Sequence, residues 1–283
     1  MQKLAKDVYV ESGFAGVTVG AIVTSEGLIV IDTPTHPADA RRWRLKLAQL
    51  SDAPVRYIVN LDHHRDRVLG NQWFEAPVIA HETASERLRQ MPELFKGGPS
   101  EAGADSDLAA DLAGVHLVAP VITFTDRLQL IIGSHELHLV RRPGSGPGAI
   151  WAELPAEQIV FTGDALTLGV PPPMVEADLD AWLETLALLR KARFPAKTIV
   201  PGRGAPVAKA AIQPMQDFLR KVRRRVQSLV RAHKPRSESV RLADELIEDF
   251  GVPAALREHY ARRLRAGLES LYDQQAAAPA ARA

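Results

Sequence analysis

Apolar and polar positions alternate along most of this chain at the short period of strands, and its last part changes to the longer period of helices. Two β-rich runs, 17–24 and 28–31, are separated by Ser25-Glu26-Gly27, a hairpin signal. Asp32-Thr33-Pro34 ends the second run. Residues 37–50 read as a helix with Trp43, Leu47 and Leu50 on its apolar side. A continuous apolar run at 55–59 predicts a buried strand, followed by a short helix at 69–74, a short strand at 78–80 and a helix at 82–90. Residues 96–114 are rich in Gly, Ala and acidic side chains and poorly patterned, as expected of a surface loop or an insertion near a site mouth. Strands resume at 128–132, 137–140, 150–153 and 159–162. A helix at 180–191 turns Trp182, Leu186 and Leu189 inward, and 198–200 is the final strand.

Beyond this point the pattern is helical. Ile212, Met215, Leu219, Val222, Val226 and Leu229 recur at spacings of three and four, which makes one apolar stripe. Gly251-Val252-Pro253 ends the next helix and starts another, lined by Leu256, Tyr260, Leu264, Leu268 and Leu271. Residues from Gln274 on are Ala-rich and expected to fray. The pattern divides the chain into an α/β domain over 1–210 and a C-terminal helical extension over 211–283. Apolar stripes of this kind bury themselves on the chain's own sheets or pair two chains, so a homodimer through these helices is one expectation.

Composition narrows the function classes. The net charge is +1, so no global field draws in nucleic acid or a membrane surface. The basic run Arg220, Lys221, Arg223, Arg224 and Arg225 has no interleaved aromatics and reads as a solvated helix face. There is no Cys, which excludes disulfides, thiolate ligands and a Cys nucleophile. Met1 to Val10 carries charges and no apolar signal core, and no apolar stretch is long enough to span a bilayer. The expected location is the cytoplasm.

The stretch between the 55–59 strand and the following helix concentrates the titratable groups: Asn60-Leu61-Asp62-His63-His64-Arg65-Asp66-Arg67-Val68-Leu69-Gly70-Asn71. In an extended segment alternate residues share a face, so Asp62, His64 and Asp66 are placed to point into one cavity. The stretch resembles the metal-binding loop of the metallo-β-lactamase superfamily, Asn-Thr-His-x-His-x-Asp-His-x-x-Gly-Asn. The chain's only two Asn residues, Asn60 and Asn71, both fall on motif positions. The family's first His is here Asp62, its second is His64, its Asp is Asp66 and its last His is Arg67. A His in a Gly-His-Thr-Pro-Gly turn is replaced by Ser145 in Gly144-Ser145-Gly146-Pro147-Gly148. The bridging Asp of a Thr-Gly-Asp turn is matched by Asp164 in Thr162-Gly163-Asp164. The His of a Pro-Gly-His-Gly turn is replaced by Arg203 in Pro201-Gly202-Arg203-Gly204. Asp32 stands where the family has an Asp that supports the metal loop from behind.

The resemblance covers roughly residues 8–210 and implies a four-layer αββα sandwich. It also implies what the substitutions change. Asp62, His64 and Asp164, helped by Ser145, form a set for at most one weakly bound divalent ion, Zn²⁺, Mn²⁺ or Mg²⁺. At the second metal position Arg67 and Arg203 cannot ligate, because guanidinium has no lone pair to donate. The two arginines are expected instead beside Asp66 and Asp164, two charges against two. In the family the metals lower the pKa of bound water to about 7. Without them, Asp62, His64 and Asp66 are the candidate catalytic groups, with Arg67, Arg203 and Ser145 as candidate ligand-binding groups. Two functions follow. One is a protein without standard zinc-dependent hydrolysis that binds a small anionic ligand or a partner. The other is a mononuclear or metal-free hydrolase of a small ester, thioester, lactone or phosphoester. Of the remaining histidines, His81 is expected to cap the helix after it, His36 to sit at a helix start, and His116, His135 and His138 to be structural. Trp151 and Trp182 are expected in the core.

Overall fold

In the computed structural model the described residues are 1–91 and 114–277. The predicted loop at 96–114 therefore lies outside them except for its last residue. Seven strands form one sheet in chain order: β1 (Gln2–Ala5), β2 (Val8–Phe14), β3 (Val17–Thr24), β4 (Gly27–Ile31), β5 (Val55–Val59), β6 (Val78–His81) and β7 (Ile122–Phe124). The first four pair antiparallel, and β4 through β7 pair parallel. A second sheet has β8 (Arg127–Ile132), β9 (His135–Arg141), β10 (Ile150–Leu154), β11 (Ile159–Phe161) and β12 (Thr198–Val200), in the order β12-β11-β10-β9-β8.

The sheets face each other through alternate apolar positions. Val10, Ile22, Ile31 and Val59 from the first meet Leu137, Leu139, Ala152 and Phe161 from the second in one buried cluster. They approach closely at Gly20, where an added Cβ would stand 2.4 Å from Phe161 Cε1. The outer face of the first sheet is covered by α1 (Pro37–Ala48), whose Trp43 and Leu47 pack on Leu28, Val30 and Ile58. The outer face of the second carries a larger cluster. There α4 (Leu179–Arg190) places Trp182 and Leu186 with Trp151. Two short helices, α2 (Arg65–Val68) and α3 (Glu82–Gln90), follow β5 and β6.

The chain then runs through α5 (Ile212–Arg231), α6 (Glu238–Leu246) and α7 (Ala254–Ala277). Their stripes bury Ile212, Leu219, Val222, Leu242, Leu264 and Leu268 in the same cluster as Trp151 and Trp182. The tail therefore packs within the chain, on the outer face of the second sheet. The basic run on α5 is solvated and paired: Arg223 with Asp180, Arg225 with Glu245 at 2.6 Å, and Lys221 with Asp249 at 2.8 Å.

Hydrophobic period located nearly every other element to within two or three residues. It missed β1, β2 and β7. In β1 and β2 charged Lys3 and Glu11 interrupt the run, and β7 is three residues long and half-exposed. The helix expected at 69–74 is a 3₁₀ turn, Leu69–Trp73, directly after α2.

Because Leu264 is fully buried between the tail and the second sheet, Leu264→Ala should cost about 2–5 kcal/mol. Urea denaturation of the intact chain checks this. Removing 236–283 should lower the melting temperature or cause aggregation, seen by light scattering. An equally stable, monodisperse truncation would show that the tail contributes nothing to the core.

Candidate functional site

The candidate residues gather at the carboxyl ends of β4, β5, β11 and β12, where open sheets of this kind place ligands. Asp32 follows β4, Asp62 to Asp66 follow β5, Asp164 follows β11 and Arg203 follows β12. Chain-chain hydrogen bonds fix these turns to one another. Gly202 N–H donates to Gly163 O at 2.8 Å, and Thr18 N–H donates to Gly202 O at 2.8 Å. A Cβ on Gly202 would stand 2.4 Å from Asp164 Oδ1, so only Gly lets the two turns touch.

Behind the loop lies a neutral brace. Asn71 Nδ2 donates to Asn60 Oδ1 at 2.7 Å, and Thr33 Oγ1 donates to Asn71 Oδ1 at 2.8 Å. Asp32, held at positive φ (55°), accepts Leu61 N–H at 2.9 Å and Arg67 Nη1–H at 2.6 Å. Asp32 thus holds the loop from behind, as the resemblance implied, and Asn60 and Asn71 brace it there as well.

In front of the brace stands Arg67, which is fully buried. Its Nε lies 2.9 Å from Asp62 Oδ1 and its Nη2 2.6 Å from Asp164 Oδ1. Arg203 covers the other side of Asp164: Nε donates to Oδ1 at 3.2 Å and Nη2 to Oδ2 at 2.9 Å. The same Nη2 reaches Asp66 Oδ2 at 2.6 Å. Asp66 Oδ2 also accepts Arg263 Nη1–H at 2.5 Å, from the tail helix α7.

Sequence reasoning brought Arg67 and Arg203 to this point correctly but not the full pairing. Arg67 serves Asp32, Asp62 and Asp164, while Asp66 is shared by Arg203 and Arg263. Arg263 carried no signal in the sequence, being one of several Arg on an amphipathic helix far from any motif.

The electrostatics follow from burial opposed by these pairs. Burial works against the charge on Asp66, but Arg263 and Arg203 outweigh it and hold the carboxyl well below its ordinary range. Burial likewise opposes Asp164, and Arg203 and Arg67 hold it low. For Asp62 the same burial is overcome by Arg67 and His64. Asp32 goes the other way. Its burial, with Asp62 adding to the effect, wins over Arg67 and pushes it up to about 7. Three guanidinium groups therefore face three firmly ionised carboxylates, with a fourth that takes up a proton near neutrality.

On the other flank, the His63 and His64 rings stack with centroids 5.0 Å apart. His64 Nδ1 is 3.1 Å from Asp62 Oδ1. His63 Nε2 is 3.2 Å from Glu176, which Arg87 holds at 2.6 Å. The loop carrying Ser145 lies over both rings, since a Cβ on Gly146 would be 3.5 Å and 3.6 Å from their Cε1 atoms. Burial pushes the His63 imidazole below its ordinary value, assisted by the neighbouring His64. His81 stands at the N-cap of α3, its Nδ1 accepting Thr83 N–H at 3.0 Å. Trp151 and Trp182 are core residues.

Asp62, His64 and Asp164 each offer a ligand atom within 4.8 Å of the others. Ser145 Oγ, on the loop that lies over the His64 ring, is buried with no hydrogen-bond partner among the described residues. This donor set fits one divalent ion, competing with Arg67 for the two carboxylates. The second position, with Arg67 and Arg203 for two of its four groups, does not fit a metal.

The sequence model of the metallo-beta-lactamase superfamily matches residues 12–203, which span every one of these turns. The chain belongs to that superfamily. A linear primary-alkylsulfatase of Pseudomonas sp. is 26% identical over 286 residues, covering 84% of this chain and 52% of that protein. The chain thus spans about half the length of this relative. A metallo-beta-lactamase family protein from Thermus thermophilus has the same fold with a TM-score of 0.71, at 20% identity over 96% of this superfamily member and 95% of that chain. This match takes in the helical tail. The sec-alkylsulfatase Pisa1 from Pseudomonas sp. matches with a TM-score of 0.65 and 17% identity, over 96% of this chain and 49% of that one.

Two outcomes follow from the pairing. Breaking a buried ion pair from one side typically costs about 3–5 kcal/mol. Arg203→Ala and Asp164→Asn should each approach that value, and the double variant should cost less than their sum. A denaturation cycle over the four proteins checks the coupling. The pH dependence has two limbs. Asp62, Asp66 and Asp164 are depressed, so their stabilisation is present above about pH 4 and is lost as pH falls through their folded values. Asp32 is raised to about 7. Its contribution is full below about pH 4 and declines as pH rises through about 7. Asp32→Asn should flatten that decline in unfolding free energy, with the acid limb unchanged.

Proposed function

We propose that this protein is a superfamily member in which arginine has taken the place of metal, that it does not perform zinc-dependent hydrolysis, and that it binds a small anionic ligand. One observation carries the reading: the buried Arg67 guanidinium lies 2.9 Å from Asp62 and 2.6 Å from Asp164, between two positions where the family binds metal. Arg203 completes the replacement from the other side of Asp164. A guanidinium lowers no water's pKa and polarises no bound hydroxide, so the family's nucleophile has no source at the second position. The alkylsulfatase relatives act on sulfate esters, as their names say, which supports an anion as the ligand class.

A second reading rests on the convergence of Asp62, His64 and Asp164, with the unpartnered Ser145 Oγ on the loop over the His64 ring. Those four would hold one divalent ion, which when bound would supply Lewis acidity for hydrolysis of a small ester, thioester, lactone or phosphoester. In the metal-free version, Asp62 orients His64 and His64 accepts the proton of an attacking water. General-base catalysis of that kind contributes about 10²–10⁴-fold.

Metal analysis tests the arginine-for-metal reading. Protein purified without chelator and dialysed against zinc should retain no ion, or at most one per chain. Turnover of a chromogenic β-lactam should stay at background. Two equivalents of zinc after dialysis would sink the arginine-for-metal reading, because Arg67 and Arg203 would have to be displaced. The replacement should also be reversible by design. The quadruple variant Asp62→His, Arg67→His, Ser145→His, Arg203→His restores the family's imidazoles and should gain zinc where the parent has none.

A further inference from the structure

Arg203 uses its guanidinium unevenly. A guanidinium has two edges that grip an oxyanion with parallel N–H groups. The Nε/Nη2 edge is filled by both oxygens of Asp164, at 3.2 and 2.9 Å. The Nη1/Nη2 edge is only half used: Nη2 donates to Asp66 Oδ2 at 2.6 Å, while Nη1 is buried with no hydrogen-bond partner among the described residues. Gly16, where an added Cβ would stand 3.5 Å from Arg203 Nη1, lies beside it and has no side chain to offer. A buried N–H without an acceptor costs free energy until something accepts from it.

A second guanidinium converges on the same spot. Arg263 Nη1 donates at 2.5 Å to Asp66 Oδ2, the atom that also accepts from Arg203. One carboxylate oxygen thus sits in the fork of two cations from separate parts of the chain. The fork is reachable: the Asp66 side chain keeps 20% and the Arg263 side chain 26% of their surface, against 5% for Arg203. Asp66 lies on α2, a single turn at the loop's edge, so its side chain has solvent to rotate into.

We infer that Arg203 and Arg263 form an oxyanion-binding fork in which the Asp66 carboxylate stands in for the head group of an external ligand, a monoanionic oxyanion such as a sulfate monoester. The inference deepens the proposed function: it rests on guanidinium groups, not metal, neutralising Asp66 and Asp164. Charge selects the ligand. A monoanion replaces the single charge of Asp66 and leaves the local balance unaltered, whereas a dianion adds one charge beside Asp164. Shape selects further. Asp66 presents one oxygen to the fork, while a sulfate ester presents three. Those three satisfy Arg203 Nη1, Arg203 Nη2 and Arg263 together. A carboxylate, with two oxygens, must share one of them between two donors, as Asp66 Oδ2 does. The tail helix is then half of the binding site as well as part of the core.

The test is isothermal titration calorimetry at low ionic strength with hexyl sulfate, hexanoate and inorganic phosphate, on protein whose metal content has been measured. Asp66→Asn removes the internal competitor and should tighten hexyl sulfate by about tenfold or more. Asp249→Asn, which makes the same change in net charge on the tail away from the fork, should leave it unchanged. Arg263→Ala should weaken binding by about tenfold. Arg263→Lys, which keeps the charge, should recover part of it. Hexyl sulfate should bind tighter than hexanoate, and both tighter than phosphate at about pH 8, where phosphate is mainly dianionic. Arg263→Ala can also loosen the tail, so the Asp66→Asn arm stands on its own. Hexyl sulfate affinity unaltered or lowered by Asp66→Asn would overturn the fork, and so would equal tightening by Asp249→Asn. Phosphate binding as tightly as hexyl sulfate would overturn the monoanion assignment. Two equivalents of zinc per chain would instead defeat the underlying reading, an outcome the metal measurement reports separately.

Discussion

Burying a full positive charge is the constraint on which the site depends. Arg67 has no exposed surface, and an unpaired charge in such a place costs several kcal/mol. Asp32, Asp62 and Asp164 surround it and offset that cost. Each of those carboxylates is then placed by its own strand end, after β4, β5 and β11. The two sheets must be stacked as they are for the three acids to converge. Close approach at Gly20 permits the stacking, and Gly202 lets the turns after β11 and β12 touch. The fold and the ion cluster are therefore mutually dependent: the sheets aim the acids, and the acids make the buried arginine tolerable.

Much of this was legible in the residue order. Alternating apolar positions gave β3, β5 and β12 to the residue, because runs such as Val55–Val59 have one reading only. The turns Asn60–Asn71, Thr162–Asp164 and Pro201–Gly204 were legible because short Gly- and Asp-bearing turns after strands have few alternatives. Position within those turns then put Arg67 and Arg203 beside Asp164. Partner choice was not legible. Which carboxylate a given guanidinium takes depends on side-chain reach in three dimensions, and Arg67 passes Asp66 by to reach Asp62 and Asp32. Arg263 escaped for a related reason: a charged residue on an exposed helix face looks the same whether it faces water or another segment's Asp. The His63–Glu176–Arg87 chain likewise joins three segments with no shared motif.

The tail changes how the two halves of the molecule relate. Leu264 and Leu268 bind it to the outer face of the second sheet, and Gly267 lets α7 press against Met174, where a Cβ would come within 2.9 Å. That contact sets the height of the helix, and one turn earlier on the same helix Arg263 reaches the loop after β5. Packing in the apolar cluster is thereby read out as the position of a single guanidinium at the site.

Guanidinium groups paired with these carboxylates also change what the site's integrity responds to. A bound ion stabilises a fold only as far as its free concentration exceeds its dissociation constant, so such a site empties when supply falls. A side chain on the same backbone is always present at one copy per site. Dilution, dialysis and competition from other ligands for the ion do not remove it. The ion pairs that Asp62, Asp66 and Asp164 make with Arg67, Arg203 and Arg263 are supplied by the polypeptide itself, and they are sensitive to pH and to whatever competes for a guanidinium.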